Sequence, residues 1–174
     1  MALTLMCGLS FAGKSTFATL LARELGAQVV SLDAINAERG LDGGQGIPLD
    51  EWATSDRVAH ERVDALLRQG KHVVIDDTGS PRFIRDQWRS AANTVGVPFA
   101  LVWVRIDRRL QQDRVARTRA RNDRPDVTDA VLAEHAASFD SPEREEPFVV
   151  DAFDTRDPAR AAAVASAIRQ LAVA

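Results

Sequence analysis

The chain has 174 residues, of which 45% are hydrophobic and 27% charged, and its net charge is −3. This composition predicts a soluble globular protein with one domain, residues 1–174, large enough to bury a substantial core. The small acidic excess excludes a general electrostatic attraction to nucleic acid or to an anionic membrane. The single cysteine, Cys7, excludes a disulfide within the chain. No apolar run is long enough to span a membrane or to form a signal peptide, and we therefore expect a cytoplasmic protein.

The first element is an apolar run at 2–7, which predicts a buried strand and leads directly into the pattern G-x-x-x-x-G-K-[ST]. A helical pattern follows as far as Leu25. The pattern therefore lies where main-chain N–H groups and the positive end of a helix dipole bind phosphate. Lys14 is expected to reach the β- and γ-phosphates, and the Ser15 hydroxyl to hold Mg²⁺. The predicted nucleotide-binding residues of this P-loop are Gly8, Leu9, Ser10, Phe11, Ala12, Gly13, Lys14, Ser15 and Thr16.

The next predicted strand runs from Ala27 to Leu32 and ends at Asp33. Ligands of an open parallel sheet bind at the carboxyl ends of its strands, which makes Asp33 a candidate site residue. A carboxylate there could accept the proton of an acceptor hydroxyl and align its oxygen. The alternative is that Asp33 caps a turn. A glycine-rich loop at 40–46 and a helix over 49–68 follow.

The third predicted strand, at 72–77, ends in two acids that are followed by Thr78. Successive strand residues point to opposite faces, so Asp76 and Asp77 are expected to have different roles. Asp76 is placed like a Walker-B acid, which holds Mg²⁺ through water. Asp77 and Thr78 would then face the acceptor or the P-loop. The alternative for each aspartate is a cap on the following turn.

Strand and helix patterns continue to alternate to the end of the chain, which predicts an α/β fold with a doubly wound parallel sheet and helices on both faces. The remaining predicted elements are a helix starting at 80–81, a strand over 97–106, an arginine-rich helix over 107–121, a short helix capped by Thr128, a strand over 148–151 and a helix opened by Asp157 and Pro158.

The arginine-rich helix places Arg114, Arg117 and Arg121 on one face, and Arg124 follows in a polar break. Such a run is usually a solvated basic face. Here it leads into a proline-broken pair of helices, which indicates a lid over roughly 114–140 that closes on nucleotide phosphates. We expect Arg114, Arg117 and Arg124 to bind the nucleotide, and Arg117 and Arg121 to act in catalysis.

Taken together, the P-loop, Asp33, the segment 74–78 with Arg82 and Arg85 after it, and the arginine-rich helix resemble a family of small P-loop kinases. This family includes polynucleotide 5′-hydroxyl kinases, chloramphenicol phosphotransferase and zeta-toxin-type kinases. The resemblance covers roughly residues 2–155. It implies a three-layer P-loop NTPase fold with a five-stranded parallel sheet and a helical lid. It also implies Mg²⁺- and ATP-dependent transfer to a hydroxyl, with Asp33 as the base.

The resemblance leaves the acids of the third strand open. The family's aspartate-threonine pair aligns with Asp77 and Thr78, whereas the Walker-B argument favours Asp76. The expected substrate-binding residues are Asp33, Trp52, Asp77, Thr78, Arg82 and Arg85. Trp52 either stacks on a ring of the acceptor or belongs to the core.

The predicted function is ATP- and Mg²⁺-dependent transfer of a phosphoryl group to a hydroxyl of a small molecule, such as an antibiotic, a nucleoside or a sugar. A polynucleotide 5′-hydroxyl kinase is the less favoured alternative, because the chain is net acidic. A nucleotide-dependent binding switch without a phosphoryl acceptor is an alternative of another class. The resemblance favours ATP over GTP, and no motif indicates the acceptor or the oligomeric state.

Overall fold

The computed structural model of the protein describes residues 1–41, 46–121 and 127–172. Within these ranges a five-stranded parallel sheet has the order β2-β3-β1-β4-β5. Its strands are β1 (Leu3–Cys7), β2 (Gln28–Ser31), β3 (Val73–Asp76), β4 (Phe99–Arg105) and β5 (Phe148–Asp151). The central strand, β1, leads into the P-loop, and its Leu5 lies in register with Ile75 on one side and Leu101 on the other. The predicted α/β fold with a five-stranded parallel sheet is confirmed.

Helices cover both faces of this sheet. Those in the described ranges are α1 (Lys14–Leu25), α2 (Leu32–Glu38), α3 (Leu49–Arg68), α4 (Arg82–Val95), α5 (Arg108–Arg121), α6 (Asp129–Ser138) and α7 (Pro158–Leu171). Two short 3₁₀ helices, Glu143–Glu145 and Ala152–Arg156, flank β5. None of the helices in the described part of the chain is long and apolar enough to cross a membrane.

The core is divided into two clusters because side chains alternate between the faces of the strands. On one face Met6 and Val102 pack among the apolar residues of α1 and α7. On the other face Leu5 and Ile75 pack against α2, α3 and α4. The α5 and α6 helices bury far less: Val115 is the buried residue of α5, and no residue of the fully described α6 is buried. These two helices therefore lie outside the core that the sheet forms with the helices on its two faces.

The second strand differs from its prediction. It ends at Ser31, and Leu32 begins α2, a helix that was not predicted from the sequence. The Ser31 side chain accepts a hydrogen bond from the N–H of Ala34, which caps the helix start. Leu32 and Ile35 are buried, which stabilises the turn by apolar contact. Asp33 consequently lies in the first turn of a helix rather than at a strand end.

Other helix boundaries agree with their predictions. The helix α3 spans the predicted 49–68, and Gly26 ends α1 in the left-handed conformation with φ 64°. Thr128 and Asp157 accept hydrogen bonds from the N–H groups of the helices they precede. Leu171, the last residue of α7, is 42% exposed. Part of the predicted glycine-rich loop, and Arg124 with the rest of 122–126, lie outside the described residues.

Candidate active site

The P-loop connects β1 to α1, and the geometry of the loop requires both of its glycines. Gly8 has φ 143°, and a Cβ on it would collide with the carbonyl oxygen of Val104. Gly13 has φ 100°, and a Cβ there would lie 2.8 Å from Oγ1 of Thr155. The N–H of Gly8 donates to the carbonyl of Thr78 over 3.0 Å. The P-loop is therefore packed closely against Val104 and Thr155. A side chain at either glycine would displace the main chain of the loop.

Lys14, the first residue of α1, folds back over this loop. Its Nζ donates to the carbonyl of Leu9 over 3.1 Å. Burial lowers the pKa of Lys14, and the negative charges of Asp76, Asp77 and Asp33 oppose that shift. The three predicted carboxylates therefore lie within electrostatic range of the P-loop lysine.

Asp76 lies next to Ser15. Burial raises the pKa of Asp76, while a hydrogen bond from the Ser15 side chain and the charge of Lys14 act in the opposite direction. A hydroxyl and a carboxylate are the oxygen ligands that Mg²⁺ takes in proteins, usually together with substrate phosphates. No group of three or more His, Cys, Asp or Glu side chains in the described ranges could hold a metal ion alone. The residues present therefore fit a Mg²⁺ ion that is shared with a bound nucleotide.

Asp77 has different surroundings. Burial raises its pKa, and hydrogen bonds from the main chain of Thr78 and Gly79 oppose the shift. The Thr78 hydroxyl also lies 3.5 Å from Oδ1 of Asp77. The Asp77 carboxylate therefore interacts with its own turn, which agrees with the capping alternative for this residue. The two acids differ as the alternation along the strand predicts, and the contact with Ser15 favours Asp76 as the acid on the metal side.

Asp33 is exposed in the first turn of α2. It lies close enough to Lys14 to affect the pKa of that lysine. The carboxylate thus combines access to solvent with proximity to the P-loop. A general base for an incoming hydroxyl needs both properties.

The predicted lid arginines divide into two groups. Arg114 is half-buried and donates through Nη1 to the carbonyls of Phe11 (2.9 Å) and Ala12 (2.8 Å). Its Nη2 donates to the carbonyl of Ala152 over 2.6 Å. Burial lowers its pKa, as do the charges of Arg156 and Arg117. Arg114 therefore supports the P-loop main chain, a role that was not predicted from the sequence.

Arg117 and Arg121 remain exposed on α5. The Nε of Arg117 donates to the carbonyl of Asp113 in its own helix over 3.2 Å. Arg119, which was not among the predicted lid residues, donates through Nη2 to Oδ1 of Asp129 over 2.8 Å and joins α5 to α6. In the described part of the predicted lid, Arg119 thus joins α5 to α6, whereas Arg117 and Arg121 are exposed to solvent.

The acceptor residues predicted on α3 and α4 are not all available. Arg85 is 0% exposed, and its Nε and Nη2 donate to Oε1 of Glu145. The expectation that Arg85 contacts an acceptor is therefore not supported by the structure, because burial and protein acceptors occupy its guanidinium. Arg82 is exposed and lies 3.5 Å from Asp86. Trp52 is partly buried and packs against the core on the α3 and α4 face, which favours its core interpretation.

Two supporting residues were missed. The side chain of Thr155 packs against Gly13, and Gln111 donates to the carbonyl of Ser10 over 2.9 Å. Both contacts join residues about a hundred or more positions apart in the chain. No local pattern carries a signal for such contacts.

Solved structures share this fold. A gluconokinase from Sinorhizobium meliloti 1021 is 18% identical with a TM-score of 0.70, covering 99% of this chain and 94% of the other. Chaetomium thermophilum Kti12, in complex with ADP-AlF3, is 17% identical with a TM-score of 0.78 and 98% coverage of both chains. The Mycobacterium tuberculosis APS kinase CysC, in complex with AMPPNP and APS, is 20% identical with a TM-score of 0.65, covering 99% and 98%. At these identities the likeness establishes the fold.

A curated relative is similar over part of the chain. The tRNA dimethylallyltransferase of Streptomyces coelicolor (strain ATCC BAA-471 / A3(2) / M145) is 35% identical over a 98-residue alignment, and the match covers 45% of this chain. The match spans about a third (31%) of that enzyme's length.

A family model described as AAA domain matches residues 3–142. This range includes the P-loop, Asp33, both acids that follow Ile75, and the arginine-rich helix. The P-loop geometry, the parallel sheet and the shared fold of the kinases above agree with that match. The chain belongs to the AAA domain family, and it is a P-loop nucleotide-binding protein with the fold of the small P-loop kinases.

Proposed function

We propose that the protein is an ATP- and Mg²⁺-dependent kinase that transfers the γ-phosphoryl group to a hydroxyl of a small molecule. One observation carries the proposal: Asp33, Asp76 and Asp77 all lie in the electrostatic field of Lys14. Asp76 contacts Ser15, whereas Asp33 is exposed. A nucleotide cradle that only bound phosphates would have no need of an exposed carboxylate beside its lysine.

In the proposed reaction, the acceptor hydroxyl lies between Asp33 and the γ-phosphate. Its oxygen forms a bond to the γ-phosphorus while the bond from that phosphorus to the β–γ bridging oxygen breaks. ADP leaves with that oxygen, and the Asp33 carboxylate accepts the hydroxyl proton. Lys14 offsets charge on the β- and γ-phosphates, and Arg117 and Arg121 supply further positive charge from the lid.

Ser15 and Asp76 would hold the Mg²⁺ ion. When bound, the ion offsets the negative charge of the β- and γ-phosphates. Arg114 and Gln111 act on the other side of the loop, where they hold the carbonyls of 10–12 outward. In the proposed complex, these contacts direct the three loop carbonyls away from the phosphates.

The charges near the acceptor side favour a small molecule without phosphate groups. Arg39 is paired with Glu51 beside the start of α3, and Arg82 lies 3.5 Å from Asp86 at the start of α4. Arg85 is buried against Glu145. Each of these three arginines thus already has a carboxylate partner, whereas nucleic-acid binding needs cations that are free to pair with backbone phosphates.

A polynucleotide kinase remains the second candidate. It is favoured by the similarity of 98 residues to an enzyme named for tRNA, and opposed by the paired arginines above. The switch without an acceptor is supported by the fold shared with Kti12, whose structure contains ADP-AlF3. Product analysis distinguishes all three functions.

The decisive experiment is a screen for ATP consumption over nucleosides, sugars, antibiotics and 5′-hydroxyl oligonucleotides, with mass spectrometry of each product. We expect one small-molecule class to gain about 80 Da, the mass of a phosphoryl group transferred from ATP. A phosphorylated oligonucleotide would assign the second candidate. ATP hydrolysis that no hydroxyl compound accelerates would assign the switch.

Asp33→Asn then tests the mechanism. We expect it to reduce transfer by about 10²-fold or more, the usual contribution of a general base, while ADP affinity stays within about twofold. Asp64→Asn is the matched control, because Asp64 is exposed on α3 and paired with Arg68. Normal turnover of Asp33→Asn would exclude Asp33 as the base.

A further inference from the structure

The end of the lid is joined to the turn that follows Asp76 and Asp77. The N–H of Asp140 donates to the Ser80 hydroxyl over 3.0 Å, and Oδ2 of Asp140 accepts from the N–H of Arg82 over 3.2 Å. Arg85 adds a bond from Nη1 to the carbonyl of Asp140 over 2.9 Å. The segment after α6 is therefore attached to the start of α4 by three hydrogen bonds.

The same Nη1 of Arg85 also donates to the carbonyl of Gly79 over 2.7 Å. Gly79 is fixed on its other side, because it has φ 59° and a Cβ on it would lie 2.7 Å from the carbonyl oxygen of Met6. The carbonyl of its neighbour Thr78 accepts the N–H of Gly8 over 3.0 Å. One guanidinium thus links the end of the lid to a turn that contacts the P-loop.

Glu145 holds this guanidinium in place. Its Oε1 accepts from Nε of Arg85 over 3.0 Å and from Nη2 over 2.7 Å, and its own side chain is 7% exposed. Burial alone would raise the pKa of Glu145, but hydrogen bonds from Arg85 and Arg89, together with their charges, hold this pKa below its usual range. With Nε and Nη2 of Arg85 bound to Glu145, its Nη1 points toward the carbonyls of Gly79 and Asp140.

We propose that Arg85, oriented by Glu145, is a positioning residue that holds the turn at 77–80, directly after β3, and couples it to the lid. The proposal rests on the proposed function in one respect: the acid directly before the turn must serve Mg²⁺. Asp76 itself stays in register with Ser31 of β2, but without Arg85 the turn that follows it would be less fixed, which would loosen the placement of its carboxylate beside Ser15. The P-loop itself, supported by Gln111 and Arg114, would keep its shape.

The test uses two variants, because removing one partner of a buried pair leaves the other charge unpaired and can prevent folding. The first is Glu145→Gln. The second is the double variant Arg85→Met/Glu145→Leu, which replaces the pair by apolar side chains of similar size and has a better prospect of folding. Arg89→Gln is the matched control, because Arg89 bonds the carboxylates of Glu145 (2.8 Å to Oε2) and Asp86 and makes no hydrogen bond to the described turn.

The readout is calorimetric affinity for ADP with and without Mg²⁺, followed by hydrogen exchange of the nucleotide-free protein. We expect the double variant to lose most of the gain in affinity that Mg²⁺ gives the wild type, while affinity for metal-free ADP stays within about twofold. Amides of 78–80, 82 and 139–141 should exchange faster together, by about tenfold or more, since the protection of each proton reflects opening of the shared unit. In a kinase assay of the double variant, kcat should decrease, and KM should change by a smaller factor.

A folded double variant with wild-type Mg²⁺ dependence and wild-type exchange at 78–80 and 82 would overturn the proposal. Equal losses of metal-free and Mg²⁺-dependent affinity would also overturn it, because they would indicate general damage to the P-loop. Failure of the proposed kinase is seen separately, as wild-type protein that binds nucleotide yet phosphorylates no acceptor. In that case the hydrogen-exchange measurement still tests whether Arg85 couples the turn to the end of the lid.

Discussion

The Thr155 side chain occupies the space where Gly13 would carry a Cβ: its Oγ1 would lie 2.8 Å from that atom and its Cγ2 3.1 Å. Thr155 is 3% exposed and donates to the carbonyl of Ala152 over 3.0 Å, which fixes its position. The 3₁₀ helix after β5 therefore packs directly against the P-loop. Thr155, which is distant in the chain, is thus the reason that residue 13 of the motif has to be glycine.

We predict that Gly13→Ala lowers the free energy of unfolding by about 3 kcal/mol, because left-handed strain and overpacking add. Gly26→Ala is the matched control, with φ 64° and no atom within 4 Å of its Cβ. It should cost about 1 kcal/mol, from backbone strain alone. Chemical denaturation measures both values. Adding Thr155→Ala should recover part of the loss in Gly13→Ala, and equal costs for the two glycines would contradict the packing argument.

The two lysines of the chain offer a second comparison. Lys14 lies over the P-loop, whereas Lys71 is exposed before β3. We predict that Lys14→Ala weakens ATP binding by about 10²-fold, since it removes the charge expected at the β- and γ-phosphates. Lys71→Ala should bind as the wild type does. Titration calorimetry checks both, and an unchanged affinity of Lys14→Ala would place the phosphates elsewhere.

The surroundings of Asp76 predict a dependence of stability on pH. The pKa of Asp76 is raised in the folded, nucleotide-free protein, so the folded state binds this proton more tightly than the unfolded state. The cost of ionising Asp76 is absent below its unfolded pKa of 3.8 and develops as the pH rises through the folded value. Asp76→Asn should therefore raise Tm at pH 7 by a few degrees, on the order expected for about 1 kcal/mol, and the gain should disappear near pH 3.5.

The control for that measurement is Asp64→Asn. The hydrogen bond with Arg68 lowers the pKa of Asp64, so its contribution has the opposite sign and is present above the unfolded pKa of 3.8. This variant should not raise Tm at pH 7. Asp76→Asn should also lose the increase in nucleotide affinity that Mg²⁺ produces. A lower Tm for Asp76→Asn at pH 7 would contradict a raised pKa for Asp76 in the folded protein.

Arg114 and Arg117 should respond differently to substitution, although both lie on the face predicted to bind phosphate. Arg114→Lys removes a planar fork that donates to three carbonyls, so Tm and nucleotide affinity should fall together, the affinity by about tenfold. Arg117→Ala should leave Tm and ADP affinity nearly unchanged and reduce turnover by about tenfold or more. Thermal unfolding and steady-state kinetics separate them. Identical effects of the two variants would exclude separate roles.

Some of the site was predictable from sequence because its signals are local. The P-loop pattern between an apolar run and a helix determines a phosphate-binding turn, since the glycines, the lysine and the helix start all lie within eight consecutive residues. The alternation of strands and helices determined the parallel sheet and brought Asp76 to its carboxyl edge. The helix α3 was predicted with its observed bounds for the same reason, because the helix-breaking residues Pro48 and Gly70 stand just outside its two ends.

The tertiary structure decided the rest, because it depends on contacts that no local pattern encodes. Arg85 follows the third strand as an acceptor residue would, yet it is buried, since Glu145 lies 60 positions away in sequence and 2.7 Å away in space. Arg114 shares its face with Arg117, yet only Arg114 of these two reaches the P-loop carbonyls. The sequence by itself thus determined that phosphates are bound and on which edge of the sheet. Folding decided which charged groups support that edge from within and which remain free to act on a substrate, because burial and pairing are properties of the packed chain.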